Sequence, residues 1–306
     1  MTLRGLLQAA GILAIVFSVA TLLPIEHFAV QLFTHFRLQY LGAALVLLVA
    51  FAALREPRYA LAMVLVAVLN GSFVLPWYLD KPAAGEGTDF DVLLANILSD
   101  NDDHEKLLAL IEGEQPDLVL LLEVSPRWQA SLGRLDALYP HRIVEPRVGN
   151  FGIAMYSRHA ISSSVMIDSA PLDLPTIVAT LDIGGRAVQV VGTHPMIPLG
   201  EANYEARNTQ LTAIAGLLQG GNGPKILVGD LNTTMWDSSY RSLENKTWLR
   251  SVRRGFGVLP SWPMFMPIAM IPIDHILVSD DIGVRDVRTG PRIGSDHLPL
   301  VATLVL

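Results

Sequence analysis

The sequence has no cysteine among its 306 residues. That absence excludes disulfides, cysteine nucleophiles and thiolate metal sites. Charge is sparse as well, with 17% of residues charged against 51% hydrophobic. The mean hydropathy of +0.41 is high for a soluble chain. Basic residues are the scarcer sign. Residues 81–306 hold 18 Lys plus Arg against 26 Asp plus Glu, a balance of −8, whereas residues 1–80 hold 4 basic and 3 acidic. An acidic segment of that kind is a poor electrostatic match for tracking along duplex DNA, where affinity comes largely from neutralised phosphates. Bound metal would offset part of the acidity. Internal repeats and low-complexity tracts are also absent from the sequence.

What is present falls into two materials. Three uncharged apolar stretches, Leu6–Leu23, Leu38–Leu54 and Tyr59–Leu79, fill the first 80 residues and run for 17 to 21 residues each. A helix of about 20 apolar residues crosses a hydrocarbon core of ~30 Å. About three transmembrane helices are therefore expected within residues 6–79. Asn70, Gly71 and Pro76 interrupt the third stretch, and Trp77 and Tyr78 suit an interfacial belt. The competing reading is a set of buried helices in a soluble protein, which would leave little polar surface for water. Arg4 precedes the first stretch, Arg55 and Arg58 separate the second from the third, and only Arg37 lies between the first and second. This bias sets the N-terminus and the second loop inside and residues after 80 outside. Ser18-Val19-Ala20 also fits a signal-peptidase site, and cleavage there would leave the orientation unchanged.

Lys81–Thr88, with Pro82, Gly85 and Gly87, reads as a linker to a second region over residues 89–306. Phe90–Ile97, Asp117–Val124, Gly152–Tyr156, Ser164–Ile167, Ile177–Leu181, Ala187–Gly192, Lys225–Val228, Ile276–Val278 and Leu300–Leu306 read as strands. Asp102–Glu112, Pro126–Leu138 and Glu201–Leu218 read as helices. Many strands with a few intervening helices predict two packed sheets with helices outside.

Five polar clusters mark this second region: Asn96, Glu123, Gly192-Thr193-His194, Gly229-Asp230-Leu231-Asn232 and Ser295-Asp296-His297-Leu298-Pro299. Four of them end an apolar run, where α/β enzymes place their chemistry. Acids, amides and histidines without thiols suit a hard cation and a phosphate. Asp230 and Asn232, two apart, point the same way from an extended segment. The carboxylate could orient or deprotonate a water and the amide could donate to a phosphoryl oxygen, or the pair could simply cap the next element. His297 is a candidate for proton transfer, with Asp296 beside it for a metal. His194 gains weight only from its company. Asp274 enters an apolar strand and needs a partner, which a catalytic histidine would supply. His275, next in line, faces the other way and reads as structural. Glu123 ends a buried run, where a carboxylate is costly without a cation or strong donor, and Asn96 could lie beside it.

In this order, Asn96, Glu123, His194, Asp230-Leu231-Asn232, Asp274 and Ser295-Asp296-His297 resemble the endonuclease/exonuclease/phosphatase superfamily, which includes DNase I-like nucleases, abasic-site endonucleases, neutral sphingomyelinases and inositol-polyphosphate phosphatases. Gly152-Ile-Ala-Met-Tyr-Ser-Arg158 also looks like the family's central strand. The resemblance covers about residues 88–306. It implies a four-layered α/β sandwich and Mg²⁺- or Mn²⁺-dependent cleavage of a phosphoester. Carried over residue by residue, Glu123 binds metal with Asn96 beside it, and Asp296 assists there. Asp230 activates water, Asn232 and His194 contact the phosphate, and His297, paired with Asp274, stabilises developing charge. Some nuclease members carry a second carboxylate two residues after the asparagine, where this chain has Leu98.

The expectation is a membrane-anchored phosphoesterase on the outer side of a bacterial inner or plasma membrane. Its substrate class is open between nucleic acid, phospholipid and small phosphate esters. The alternative is a catalytically silent, membrane-tethered binding domain of the same fold. Leu259–Pro272, apolar and proline-rich, either packs on its own core or flanks the site and touches lipid or an apolar part of the substrate.

Overall fold

The computed structural model describes residues 2–23, 25, 27–79, 81–220 and 223–306. The expected boundary at residue 80 lies outside the described residues. The N-terminal elements are α1 (Leu3–Ala20), α2 (Phe28–Thr34), α3 (Arg37–Ala53), α4 (Pro57–Val74) and the short α5 (Pro76–Leu79). Two of them, α1 and α4, are long and apolar enough to cross a membrane, and α2 with α3 makes a third candidate bent by 61°. Their outer faces carry exposed Val46, Val49, Leu65 and Val68. Apolar surface of that extent needs a covering phase.

Asn70 and Gly71 do not interrupt α4. The Asn70 amide donates to Ser18 Oγ at 2.9 Å and to the Val66 carbonyl at 2.9 Å, and accepts from Arg37. A polar residue satisfied this way is carried inside a helix bundle without breaking it. Pro76 instead ends α4, and Trp77 departs from the interfacial expectation. It is 8% exposed and packed with Val191, Trp236 and Val258, because α5 docks the helices on the sheets.

The rest of the chain is a four-layered α/β sandwich. Its elements are β1 (Asp89–Asn96), α6 (His104–Glu114), β2 (Leu118–Leu122), α7 (Pro126–Leu132), β3 (His141–Glu145), β4 (Ile153–Ser157), β5 (Ala160–Ser169), β6 (Leu174–Ile183), β7 (Arg186–Thr193), α8 (Glu201–Gln219), β8 (Lys225–Asp230), α9 (Ser238–Thr247), β9 (Arg250–Ser251), β10 (Asp274–Val278), β11 (Gly283–Thr289) and β12 (Leu300–Val305). The first sheet runs β11-β12-β1-β2-β4-β3 and the second β5-β6-β7-β8-β10-β9. Alternate side chains of both meet in one inter-sheet core that includes Val92, Leu94, Leu120, Val190, Val228 and Ile276. The opposite face of the first sheet packs on α6 and α7, and that of the second on α8 and α9.

The strands missed in the sequence, β3, β9 and β11, are edge strands or next to none in length, and charges such as Arg142, Glu145, Arg285 and Asp286 mask their apolar pattern. The helix expected over Pro126–Leu138 divides at Gly133 into α7 and a 3₁₀ turn, which brings the Tyr139 hydroxyl to the Pro116 carbonyl at 2.9 Å. Residues 81–88 form no helix or strand, yet Thr88 pairs with Leu306 through two backbone bonds of 3.0 Å.

The helices and the sandwich share structure. Val74 and Trp77 belong to the apolar cluster beneath the second sheet. Trp236 Nε1 donates to the Phe73 carbonyl at 3.1 Å, Gly257 N to the Trp77 carbonyl at 2.8 Å, and Gln39 Nε2 to the Met270 carbonyl at 2.7 Å. Losing one buried Trp costs ~3–5 kcal/mol. Residues 81–306 alone are therefore expected to aggregate or to melt about 10 °C or more below the full chain in detergent, by circular dichroism. An equally stable fragment would contradict this packing.

Candidate active site

Six strand ends meet at one edge of the sandwich. Asn96 closes β1 beside Leu122 of the parallel β2, and Glu123 follows. Thr193 closes β7 opposite Gly229 of the parallel β8, so His194 and Asp230 emerge together. Asp274 opens β10 directly opposite Asp230 in antiparallel register. β12 runs antiparallel to β1, with Leu300 opposite Leu94, so the preceding loop delivers Ser295, Asp296 and His297 to the same edge. Gly229 makes this approach possible: a β carbon there would stand 2.1 Å from the Thr193 carbonyl oxygen.

Asp230 is the hub. Its Oδ1 accepts from Asn232 N at 2.9 Å and its Oδ2 from Asn96 Nδ2 at 3.3 Å. His194 Nε2 lies 3.5 Å and His297 Nε2 3.7 Å from the same Oδ2. Those two spacings are electrostatic contacts, longer than hydrogen bonds. Glu123 Oε1 accepts from Asn96 Nδ2 at 3.0 Å and its Oε2 from Ser99 N at 3.2 Å. His297 Nδ1 donates to Asp274 Oδ2 at 2.8 Å. Ser295 Oγ donates to the Asn96 carbonyl at 2.8 Å and accepts from His297 N at 3.0 Å. Glu123 and Asn232 hold left-handed backbone angles, φ 65° and 50°. Asn tolerates that region, whereas a Glu there stores strain that its surroundings must hold in place.

The electrostatics follow from burial and neighbours. Burial pushes the Glu123 carboxyl above its ordinary range, only partly opposed by His194 and the Asn96 and Ser99 donors. Burial alone would depress His297, but Asp274, with Asp230 and Asp296, outweighs it and lifts the imidazole to about 9. The same pair holds Asp274 below its usual value against the opposing effect of burial. His194 follows His297 in direction, with Asp230 and Glu123 overcoming desolvation. The centre thus pairs buried carboxylates with two histidines whose hold on a proton they strengthen.

Seven of the eight residues singled out from the sequence, Asn96, Glu123, His194, Asp230, Asn232, Asp296 and His297, line one pocket of about 200 Å³. Asp274 stands behind His297. A groove of similar size between α8 and α9 offers one lysine and neither acid nor histidine. His275 faces away, its Nε2 donating to the Thr233 carbonyl at 2.8 Å. Leu98 lines the pocket where a second carboxylate stands in some nucleases.

Other participants escape sequence reasoning. Trp262 Nε1 donates to Asp296 Oδ2 at 2.9 Å, which brings the apolar Leu259–Pro272 segment into the site. Arg207, fully buried, donates to the Asn232 carbonyl at 3.0 Å and holds that left-handed residue in place. Its signal is an arginine on the apolar face of a helix, between Tyr204 and Leu211. His35, just after α2, places Nδ1 3.0 Å from Thr234 Oγ1, and both His35 and Leu32 line the pocket. Nothing local in the sequence marks those two.

The fold and its site compare with known proteins as follows. No curated protein sequence matches the chain at a significant level. Among solved structures, an endonuclease/exonuclease/phosphatase from Beutenbergia cavernae is 20% identical with a TM-score of 0.59, over 71% of this chain and 72% of that one. D. rerio TDP2, solved with a single-strand DNA product, is 16% identical with a TM-score of 0.62, over 72% of this chain and all of that one. The human Nocturnin catalytic domain, with bound sulfate, is 22% identical with a TM-score of 0.57, over 71% and 94%. At such identities these likenesses establish the shared sandwich. The model of the Endonuclease/Exonuclease/phosphatase family matches residues 93–297, more than half of the sequence, from within β1 to His297. This chain therefore belongs to the endonuclease/exonuclease/phosphatase family.

Proposed function

We propose that the chain is a membrane-anchored hydrolase that cleaves a phosphoester by attack of water on phosphorus, with Mg²⁺ or Mn²⁺ as cofactor. The observation that carries this reading is Asp230, a buried carboxylate fixed by two N–H donors and facing two imidazoles within 3.7 Å. Such a group is oriented to take a proton while cations beside it meet the charge that develops.

The donor set fits a hard divalent cation. Each Glu123 oxygen has one N–H donor, from Asn96 or Ser99, so further lone pairs remain for a ligand. Burial disfavours its charge, which a cation would reverse. Buried Asp274 Oδ1 and both ring nitrogens of His194 have no hydrogen-bond partner among the described residues. The carboxylates of Asp230 and Asp274 and the His297 ring come within 4.8 Å of one another. Because His297 already occupies Asp274 Oδ2, we assign the cation to Glu123, Asn96 and Asp296 instead, with Asp274 reserved for the histidine. A bound Mg²⁺ would polarise the phosphoryl group and neutralise its charge.

The side chains then act in turn. Water attacks phosphorus as its proton passes to Asp230. The P–O bond to the leaving oxygen breaks, and that oxygen takes up a proton from solvent. Asn232 and His194 hold the phosphoryl oxygens. His297, kept charged and oriented by Asp274, faces the charge that accumulates in the transition state.

The first 80 residues form the membrane region in this proposal, residues 81–88 the connection and residues 89–306 the catalytic domain. The paired Arg4 and Glu56 join the start of α1 to the α3–α4 loop, which holds Arg55, with Arg58 in the first turn of α4. The sandwich packs at the opposite ends of α3 and α4, through Gln39, Phe73 and Trp77. Basic residues at one end and the sandwich at the other support an outward-facing catalytic domain.

Two measurements test these readings. The purified full chain should hydrolyse bis(p-nitrophenyl) phosphate with Mg²⁺ and stop with EDTA. Asp230→Asn and His297→Ala should each lower kcat by about 10²–10⁴-fold. Unchanged turnover in a folded Asp230→Asn protein would refute the assignment. In a bacterial host, an alkaline phosphatase reporter should be active when fused after Leu306 and silent when fused after Arg55. The reverse pattern would invert the topology.

A further inference from the structure

The polar floor of the pocket is only half of it. Its walls are apolar: Leu32, Ile197, Pro198, Leu199, Trp262 and Ile271. Among the described residues, no Lys or Arg lines it. A polynucleotide site needs cationic side chains along the backbone path, and a small polar ester gains nothing from such walls. One wall comes from the helix region itself, through Leu32 of α2, the helix that turns 61° from α3.

The opposite lip carries the same character. Between Trp262, bonded to the catalytic-edge Asp296, and Ile271, the chain presents Phe265 at 73%, Met266 at 49% and Ile268 at 84% exposure. Leu199, at 68%, extends the rim on the loop after His194. Exposed apolar residues grouped around a pocket mouth mark a surface that meets an apolar phase. The lip is held at a fixed level: the Met270 carbonyl accepts from Gln39 Nε2, near the start of α3, at 2.7 Å. It therefore stands at the end of the same helices that are apolar enough to span a bilayer.

Resting on the hydrolase reading above, we infer that the substrate is a membrane amphiphile: a phosphoester bearing a long hydrocarbon chain, which lies between α2 and the Trp262–Ile271 lip while its phosphate reaches the floor. The chain length is read by the walls and the phosphoester by the floor. Enclosure of about two methylenes is enough for a tenfold gain.

The test uses the full chain in phosphatidylcholine vesicles with Mg²⁺ and two diesters that share a leaving group, methyl and dodecyl p-nitrophenyl phosphate. The kcat/KM ratio of dodecyl to methyl is expected to be at least tenfold, and to fall severalfold in Leu32→Ser. Supercoiled plasmid should remain intact under the same conditions. Equal turnover of the two diesters would overturn the substrate class and leave the hydrolase reading standing. Plasmid nicking that disappears in Asp230→Asn would overturn it in favour of nucleic acid. Turnover of neither diester would overturn the hydrolase reading and this inference with it.

Discussion

A single amide holds the two sheets to one chemistry. Asn96 Nδ2 donates to Glu123 Oε1 on the first sheet and to Asp230 Oδ2 on the second, at 3.0 and 3.3 Å. Both carboxylates are nearly fully buried, and without a donor between them each would raise the other's cost of ionisation. The remaining contacts build outward from that bridge. Ser295 fixes the Asn96 backbone, the histidines flank Asp230, and Asp274 backs His297. The arrangement survives only in the observed strand register, because a slip by one residue would turn each side chain to the opposite face.

The helix region completes this centre. His35 meets Thr234 on the loop that follows Asn232, and Leu32 forms part of the pocket wall. On the far side of that loop, Arg207 holds the Asn232 carbonyl and approaches Asp237, the cap of α9, at 3.8 Å. Asn232, with its left-handed backbone, is therefore gripped between α8 and the loop that α2 abuts. One apolar cluster holds α1, α3 and α4 together, and another, through Val74 and Trp77, is shared with the sandwich.

The fold was legible in the sequence where burial is two-sided. β1, β2, β8 and β10 read as apolar runs, and an acid or amide at the end of such a run stands out because burial makes it expensive. Polar edge strands such as β3 and β11 lack that contrast, and α9, Ser-Ser-Tyr-Arg-Ser-Leu-Glu-Asn-Lys-Thr, buries only Tyr240, Leu243 and Thr247. Within the site, the eight polar residues are visible one strand end at a time. Their second partners are not, because Trp262, Arg207 and His35 arrive from 34, 25 and 199 residues away. Only tertiary packing creates those contacts. Trp262 is the instructive case. Its segment reads as apolar and open between a core and a surface role, and the structure divides it: Trp262 turns inward to Asp296 while Phe265 and Ile268 turn out to the surface.

The central claim is that Glu123, Asn96 and Asp296 hold a divalent cation beside Asp230. Mn²⁺ titrated into the full chain, followed by loss of the free-ion EPR signal, tests it without depending on any substrate. Saturable uptake that weakens about tenfold or more in Glu123→Gln is the expected result. Uptake unaffected by that substitution, or no uptake by the folded protein, would contradict the centre described.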